Sequence, residues 1–367
     1  MARVALKQIS MDYESTTALK NVSFETSDGE FLVILGPAGA GKTTLLKIIA
    51  GVLRPTRGRV FIDDQDITDK PGNLRNVAMT FEDYALYPTF TVKQNMDNPF
   101  GAMENPPSKE ERENKIMDVA KMLQIDHLLD RKVDQLSGGQ KQRVSLARSM
   151  VRAPQVFLFD EPLSHVDAKI RHAMRAELHR LASVLATTTI YVTHDYVEAL
   201  SLGDRIIVID QGVIQQVGTP HEIYHSPVNE FVAKVVGQPN INLFTCVVKK
   251  VNSQIVIESV NSSALTFVPH ENFQEKLKGY VGEEIRVGIR PQDIGFTMKP
   301  NANNNLATKV ELFELWGRRG MIMALLGEEE IRVLTDTDEV INLNQNVWLD
   351  LSVAPLYLFE KSGVKID

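Results

Sequence analysis

The sequence predicts an α/β fold with an inserted helical subdomain, followed by a small all-β barrel. Three observations predict it. Over residues 1–235, short uninterrupted apolar runs alternate with helical patterns, which is how parallel strands covered on both faces read. Between Val92 and Val151 no strand pattern occurs. From residue 236 onward the texture changes to short alternating segments with turn residues at close spacing, the signature of a small barrel. A chain of 367 residues with 43% apolar and 24% charged residues has ordinary globular composition, and at roughly 100–200 residues per domain it divides into two domains. Disordered, collagenous and low-complexity classes are excluded.

Each element has a local reason. Residues 31–35 form an apolar run that ends in a glycine-rich turn, and 42–50 carry apolar residues at helical spacing until Gly51 stops them. Pro106-Pro107-Ser108 reads as a loop and a cap before a helix over 109–124, and a second helix is expected from Ser137-Gly138-Gly139 to Val151. The helical subdomain therefore spans about 88–151. Further buried strands are expected at 156–159, 189–192 and 205–209. The cluster Gly237-Gln238-Pro239-Asn240 marks the boundary between the 1–235 and 236–367 domains. Beyond it, 243–251, 254–260, 285–289, 307–313, 321–326, 331–334 and 346–352 read as strands.

The net charge of −7 argues against nucleic acid as the main partner, because phosphate backbones select basic surfaces. The 236–367 region holds 13 basic and 17 acidic residues, which argues against a nucleic-acid reading of a barrel there. One cysteine, Cys246, cannot make an intrachain disulfide, and a reducing compartment is the easier reading. The first residues turn polar too soon for a signal peptide, and no run of 18 apolar residues exists to span a membrane.

Gly36-Pro37-Ala38-Gly39-Ala40-Gly41-Lys42-Thr43 fits G-x-x-x-x-G-K-[ST]. Glycines let backbone N–H groups turn toward phosphates, and the following helix adds the partial positive charge of its N-terminus. Lys42 then reaches the β- and γ-phosphates, and the Thr43 hydroxyl ligates Mg²⁺, with Thr44 in the same first turn. Chance produces this pattern in roughly one chain of this length in a hundred. Val156-Phe157-Leu158-Phe159-Asp160-Glu161 is an apolar strand that ends in two acids. Asp160 is placed to serve Mg²⁺ and Glu161 to polarise an attacking water. Leu136-Ser137-Gly138-Gly139-Gln140 opens a helix and forms a second anion-binding turn. One compact domain cannot readily wrap a nucleotide with both sites, whereas a dimer offers the second site across an interface.

These motifs, with His194 in Tyr191-Val192-Thr193-His194-Asp195, closely resemble the ABC transporter ATPase family. Ala85-Leu86-Tyr87-Pro88, Glu161-Pro162-Leu163-Ser164 and Gly288-Ile289-Arg290-Pro291 narrow the resemblance to the carbohydrate and polyol importer type, similar to the maltose and glycerol-3-phosphate importer ATPases. The resemblance implies a P-loop nucleotide-binding domain followed by an OB-type, transport-associated barrel with a regulatory or dimer-contact role. It implies ATP and Mg²⁺ as cofactors, ATP hydrolysis coupled to solute uptake, and a peripheral position on the cytoplasmic face of the inner membrane. Tyr13 would stack on adenine, and Ser137, Gly138, Gly139 and Gln140 would meet the nucleotide held by a second ATPase subunit. Asp160 would serve the metal, Glu161 the hydrolytic water, and His194 would contact the γ-phosphate. Residues 83–95 would receive a helix from one of two membrane permease subunits, to which a separate solute-binding protein delivers.

Two positions depart from the family pattern. Glu82 stands where the family has the glutamine that contacts Mg²⁺, and a second carboxylate beside Glu161 disfavours joint ionisation. The loop Ser164-His165-Val166-Asp167 has His165-Val166 in place of Asn-Leu. A slower phosphate site and a heterodimer are the expectations, with a homodimer as the alternative. DNA-maintenance ABC ATPases separate the two half-sites with long coiled coils, but only 93 residues lie between Lys42 and Leu136 here, without heptads. Intact Lys42, Asp160, Glu161 and His194 argue against a non-enzymatic regulator.

Overall fold

The computed structural model describes residues 2–80, 84–103, 105–152, 154–164, 171, 174–176, 178–180, 187–300, 306–336, 340–352 and 354–366. They fall into two compact units, 1–221 and 222–367.

The first unit is built on a six-stranded sheet. Its order is Val213–Gly218, Arg205–Asp210, Phe31–Leu35, Thr188–Thr193, Val156–Asp160 and Val77–Thr80. Five of these strands are parallel, and only the edge strand Val213–Gly218 runs antiparallel. Phe31–Leu35, Val156–Asp160 and Thr188–Thr193 are buried at every position. That explains their unbroken apolar pattern, since both sheet faces are covered.

A second sheet was not evident from the apolar runs. Thr17–Glu25, Val4–Asp12, Arg57–Ile62 and Gln65–Asp66 form a four-stranded antiparallel sheet in that order. Its strands mix buried and exposed positions instead of forming a continuous apolar run, and register shifts break the alternation along Val4–Asp12. The helix Lys42–Ala50 packs Leu45, Ile48 and Ile49 into one core with Leu6, Ile9, Leu19 and Val60 of this sheet and Ile34, Leu158, Ile190 and Ile207 of the parallel one. It is therefore buried on two faces. Gly51 at φ 77° caps its end, as the sequence predicts.

Among the described residues no strand lies between Thr80 and Val156. This stretch holds the helices Val92–Asp97, Lys109–Met122 and Gly138–Met150. Thr91, Ser108 and Ser137 each close a capping box on the residue three positions later. The helix expected over 109–124 ends at Met122, because Gln124 takes a left-handed φ of 56°.

The second unit contains two antiparallel five-stranded sheets. One has the order Thr266–Phe267, Gln254–Ser259, Asn242–Val251, Glu284–Ile289, Tyr357–Glu360. The other has the order Gly295–Thr297, Asn346–Asp350, Leu306–Trp316, Arg319–Leu326, Glu329–Asp336. Both close on one core, with Phe244, Cys246, Ile257 and Val287 from the first and Val310, Ile322, Val333 and Val347 from the second. A bulge between Val310 and Leu312 bends the long strand Leu306–Trp316 and curls its sheet.

The division between units precedes the expected boundary at 235/236, because packing and not the breaker cluster sets it. Glu230 is paired with Arg286 at 3.0 Å and Asn229 bridges to Val364. Arg290, 1% exposed, lies over the Tyr224 ring at 3.9 Å and donates to the Tyr224 carbonyl at 2.7 Å. Residues 222–235 thus belong to the second compact unit.

Candidate functional site: a phosphate loop facing two acids and a histidine

The loop Gly36–Thr43 leaves the end of strand Phe31–Leu35 and enters helix Lys42–Ala50. Two of its glycines are sterically required. A Cβ on Gly36 would sit 2.3 Å from the Ile209 carbonyl, and one on Gly41 would sit 2.6 Å from the Ala18 carbonyl with φ at 100°. Ala40 is buried, while Pro37, Ala38 and Gly39 form the exposed crest.

Lys42 is 5% exposed, and its ammonium donates to the carbonyls of Gly36 and Pro37, both at 3.0 Å. The same nitrogen lies 3.3 Å from Glu161 Oε1. On the other carboxylate oxygen, His194 Nδ1 meets Glu161 Oε2 at 2.7 Å. A carboxylate only accepts, so Nδ1 carries the proton of this bond. The Thr43 hydroxyl donates to Asp160 Oδ1 at 2.9 Å, and Asp160 is 4% exposed. Thr44 is half-buried beside it in the same turn.

Three adjacent parallel strands make this convergence. Phe31–Leu35 carries the loop, Val156–Asp160 delivers the acids, and Thr188–Thr193 delivers His194. Glu161 turns off its strand with φ at 44°, an uncommon conformation for a residue with a side chain. Its backbone N–H donates to the Val192 carbonyl at 3.0 Å, and the Ser164 hydroxyl donates to its carbonyl at 2.9 Å.

Lys42, Thr43, Asp160, Glu161 and His194 are thus brought together. Ser137–Gln140 are not joined to them. The Ser137 hydroxyl accepts from the Gln140 backbone N–H at 3.4 Å and the Gln140 amide oxygen accepts from the Ser137 backbone N–H at 3.0 Å, so each side chain satisfies the other's backbone. Gly138 and Gly139 open the helix with Ser137 exposed. Tyr13 is 45% exposed, at the tip of the hairpin whose Ala18 packs on Gly41. Glu82 and residues 165–167 lie outside the described residues.

Sequence reasoning missed Glu198. This buried carboxylate accepts from Tyr191 and Thr193, the strand residues that precede His194, each at 2.8 Å. Burial pushes its carboxyl above the usual range, while the two hydroxyls pull the other way. The only signal was Asp195 three positions earlier as a helix cap, which locates the helix and not the buried acid.

Residues 19–164 match the profile of the ABC transporter family. The chain is 41% identical to the trehalose/maltose import ATP-binding protein MalK of Thermococcus litoralis over 89% of each chain. It is 36% identical to the sn-glycerol-3-phosphate import ATP-binding protein UgpC of Escherichia coli K12 over 98% of each. The chain belongs to the ABC transporter ATP-binding proteins. Within that family it is of the carbohydrate and glycerol-3-phosphate importer type, and it is an ATPase that hydrolyses ATP. Among solved structures, the dimeric post-hydrolysis state of the ATP-binding cassette MJ0796 bound to ADP and Pi is 32% identical, with a TM-score of 0.55 over 59% of this chain and 98% of that one. ABC cassettes dimerise and work with membrane subunits. No helix among the described residues of this ABC ATPase is long and apolar enough to cross a membrane.

Proposed function

We propose that the chain powers uptake of a sugar, polyol or glycerol-type solute by hydrolysing ATP in a sandwich of two ATPase subunits. The observation that carries this is the separation of two complementary half-sites. One is the cluster of Lys42, Thr43, Asp160, Glu161 and His194, and the other is the helix start at Ser137–Gln140, whose Ser137 and Gly138 are exposed and whose Ser137 and Gln140 side chains close a local capping box. A second subunit supplies the missing half of each. The solutes in the relatives' names, trehalose/maltose, sn-glycerol-3-phosphate and sulfoquinovosyl glycerol, support the solute class.

In this reading Lys42 and the loop N–H groups bind the β- and γ-phosphates. Water attacks the γ-phosphorus, its proton passes to Glu161, and the bond to the bridging β–γ oxygen breaks to give ADP and phosphate. His194, held on Glu161 Oε2, aims that carboxylate and donates toward the γ-phosphate through its other ring nitrogen when protonated. Tyr13 stacks on adenine from the hairpin tip. The Thr43 hydroxyl and Asp160 carboxylate are an oxygen-only pair that suits Mg²⁺, which takes one or two protein oxygens and completes its shell with phosphate and water. Bound there, it would neutralise phosphate charge.

The first domain is the motor, and the β-rich second domain serves regulation or dimer contact. The complex sits on the cytoplasmic face of the inner membrane with two permease subunits, fed by a solute-binding protein, with residues 83–95 in the permease contact. Glu82 slows hydrolysis at its own site, and the altered 164–167 loop favours a heterodimer over a homodimer.

The test is copurification of the tagged chain with its membrane subunits, followed by vesicle uptake of maltose, trehalose and glycerol-3-phosphate. Glu161→Gln is expected to bind ATP yet lose hydrolysis and uptake. Substantial residual turnover rejects Glu161 as the proton acceptor, and uptake of none of these solutes rejects the solute class.

A further inference from the structure

His194 presents a 59% exposed side chain, and among the described residues Glu161 is its single polar partner. What aims the ring is therefore the backbone on either side of it. That backbone is clamped from below. Glu198, 4% exposed on helix Tyr196–Leu202, accepts the Thr193 hydroxyl at 2.8 Å. Having donated, the same Thr193 oxygen accepts the Asp195 N–H at 2.9 Å. Asp195 in turn accepts the N–H groups of Val197 at 2.8 Å and Glu198 at 3.3 Å. The residues flanking His194 thus close a ring of bonds through Glu198. Tyr191, fully buried, braces the carboxylate by donating to the same Oε2 at 2.8 Å.

We propose that Glu198 is a positioning residue for ATP hydrolysis: through Thr193 and Asp195 it fixes the turn that holds the His194 imidazole on Glu161. This rests on the proposed roles of His194 and Glu161. A buried carboxylate is costly unless it is hydrogen-bonded, and both hydroxyls that Glu198 Oε2 accepts come from the strand that leads into His194. The bonds that offset its burial therefore tie the helix Tyr196–Leu202 to that turn. Displacing a reacting group by about 1 Å costs on the order of a hundredfold in rate.

The experiment measures ATP hydrolysis by the full chain in its complex, with kcat and KM separated, for Thr193→Val, Glu198→Ala, Glu198→Gln and Tyr191→Phe, each with and without His194→Ala. Thr193→Val and Glu198→Ala are expected to lower kcat about tenfold or more, with KM for ATP within about twofold. Glu198→Gln restores most of the rate, because an amide oxygen still accepts both hydroxyls. Tyr191→Phe removes one donor to Glu198 but keeps the bond from Thr193, and it is expected to lower kcat less than Thr193→Val does. On the His194→Ala background, Glu198→Ala costs nothing further. Equal losses with and without His194, or full kcat in Thr193→Val, overturn the proposal while leaving the site reading in place. Full hydrolysis by His194→Ala overturns the site reading and the positioning role together. Should Glu198→Ala fail to fold, the near-isosteric Thr193→Val and Glu198→Gln carry the same comparison.

Discussion

Asp66 shows how strongly local bonds set a carboxylate. One of its oxygens accepts from the Thr68 N–H at 2.9 Å and from the Thr68 hydroxyl at 2.6 Å, and the other meets the Arg59 guanidinium. Together these lower its pKa from 3.8 to about 2. A carboxylate depressed on folding adds stability above its unfolded value, and that contribution is lost progressively as pH falls from about 5 to about 1. The difference in urea midpoint between the parent and Asp66→Asn is therefore expected at pH 7 and should fall to a small fraction of that size by pH 2. A difference unchanged across that range removes the ionised carboxylate as its cause. Cys246, buried with its thiol pushed up to about 12 by burial, has no such exposed chemistry. At this scale the sequence was legible wherever a residue sits in a motif, as with Lys42, Thr43, Asp160, Glu161 and His194. It was silent on Glu198, because nothing in a one-dimensional pattern separates a buried acid on a short helix from a solvated one.

Among elements, the helix Lys42–Ala50 is held at its far end by Arg75. That guanidinium, 4% exposed, donates to the carbonyls of Ile48 at 2.7 Å, Ile49 at 2.9 Å, Lys70 at 2.7 Å and Thr68 at 3.0 Å. It satisfies the carbonyls that a helix C-terminus leaves open and complements its dipole. A lysine offers one compact charge and cannot span four acceptors. Arg75→Lys is expected to cost roughly 2–4 kcal/mol of unfolding free energy by urea titration, and a loss under about 0.5 kcal/mol would mean that water replaces the guanidinium. The helix itself was readable to the residue, since Gly41 and Gly51 bound it with left-handed conformations. The antiparallel sheet of the first unit was not. Its strands mix buried and exposed positions, and register shifts along Val4–Asp12 interrupt the period-two pattern. Strands as short as Thr266–Phe267 and Gly295–Thr297 carry no periodicity to read.

For the whole molecule, the order of motifs was enough to foresee an α/β unit followed by a β-rich one. The line between them was not, because a breaker cluster marks where the chain turns and not where its atoms pack. Arg290 decides the matter physically: its guanidinium donates to the Tyr224 carbonyl and to the Tyr357 hydroxyl, and it is stacked on both rings. Removing 222–236 would leave a buried cation short of acceptors. A fragment beginning at Glu222 is expected to unfold at a clearly higher urea concentration than one beginning at Gly237, and equal midpoints would return the boundary to the breaker cluster. The second half-site proposed at Ser137 likewise gains meaning only at this scale, since a half-site is complete in pairs.

Glu161 holds φ at 44° on a residue that carries a Cβ. Such a conformation costs about 1–2 kcal/mol against glycine. Drift toward thermal robustness would thus reward a glycine at 161, the same change that erases the carboxylate from Lys42 and His194. Laboratory selection of this chain for heat tolerance without selection for turnover should admit glycine at 161, trading the motor for a sturdier scaffold.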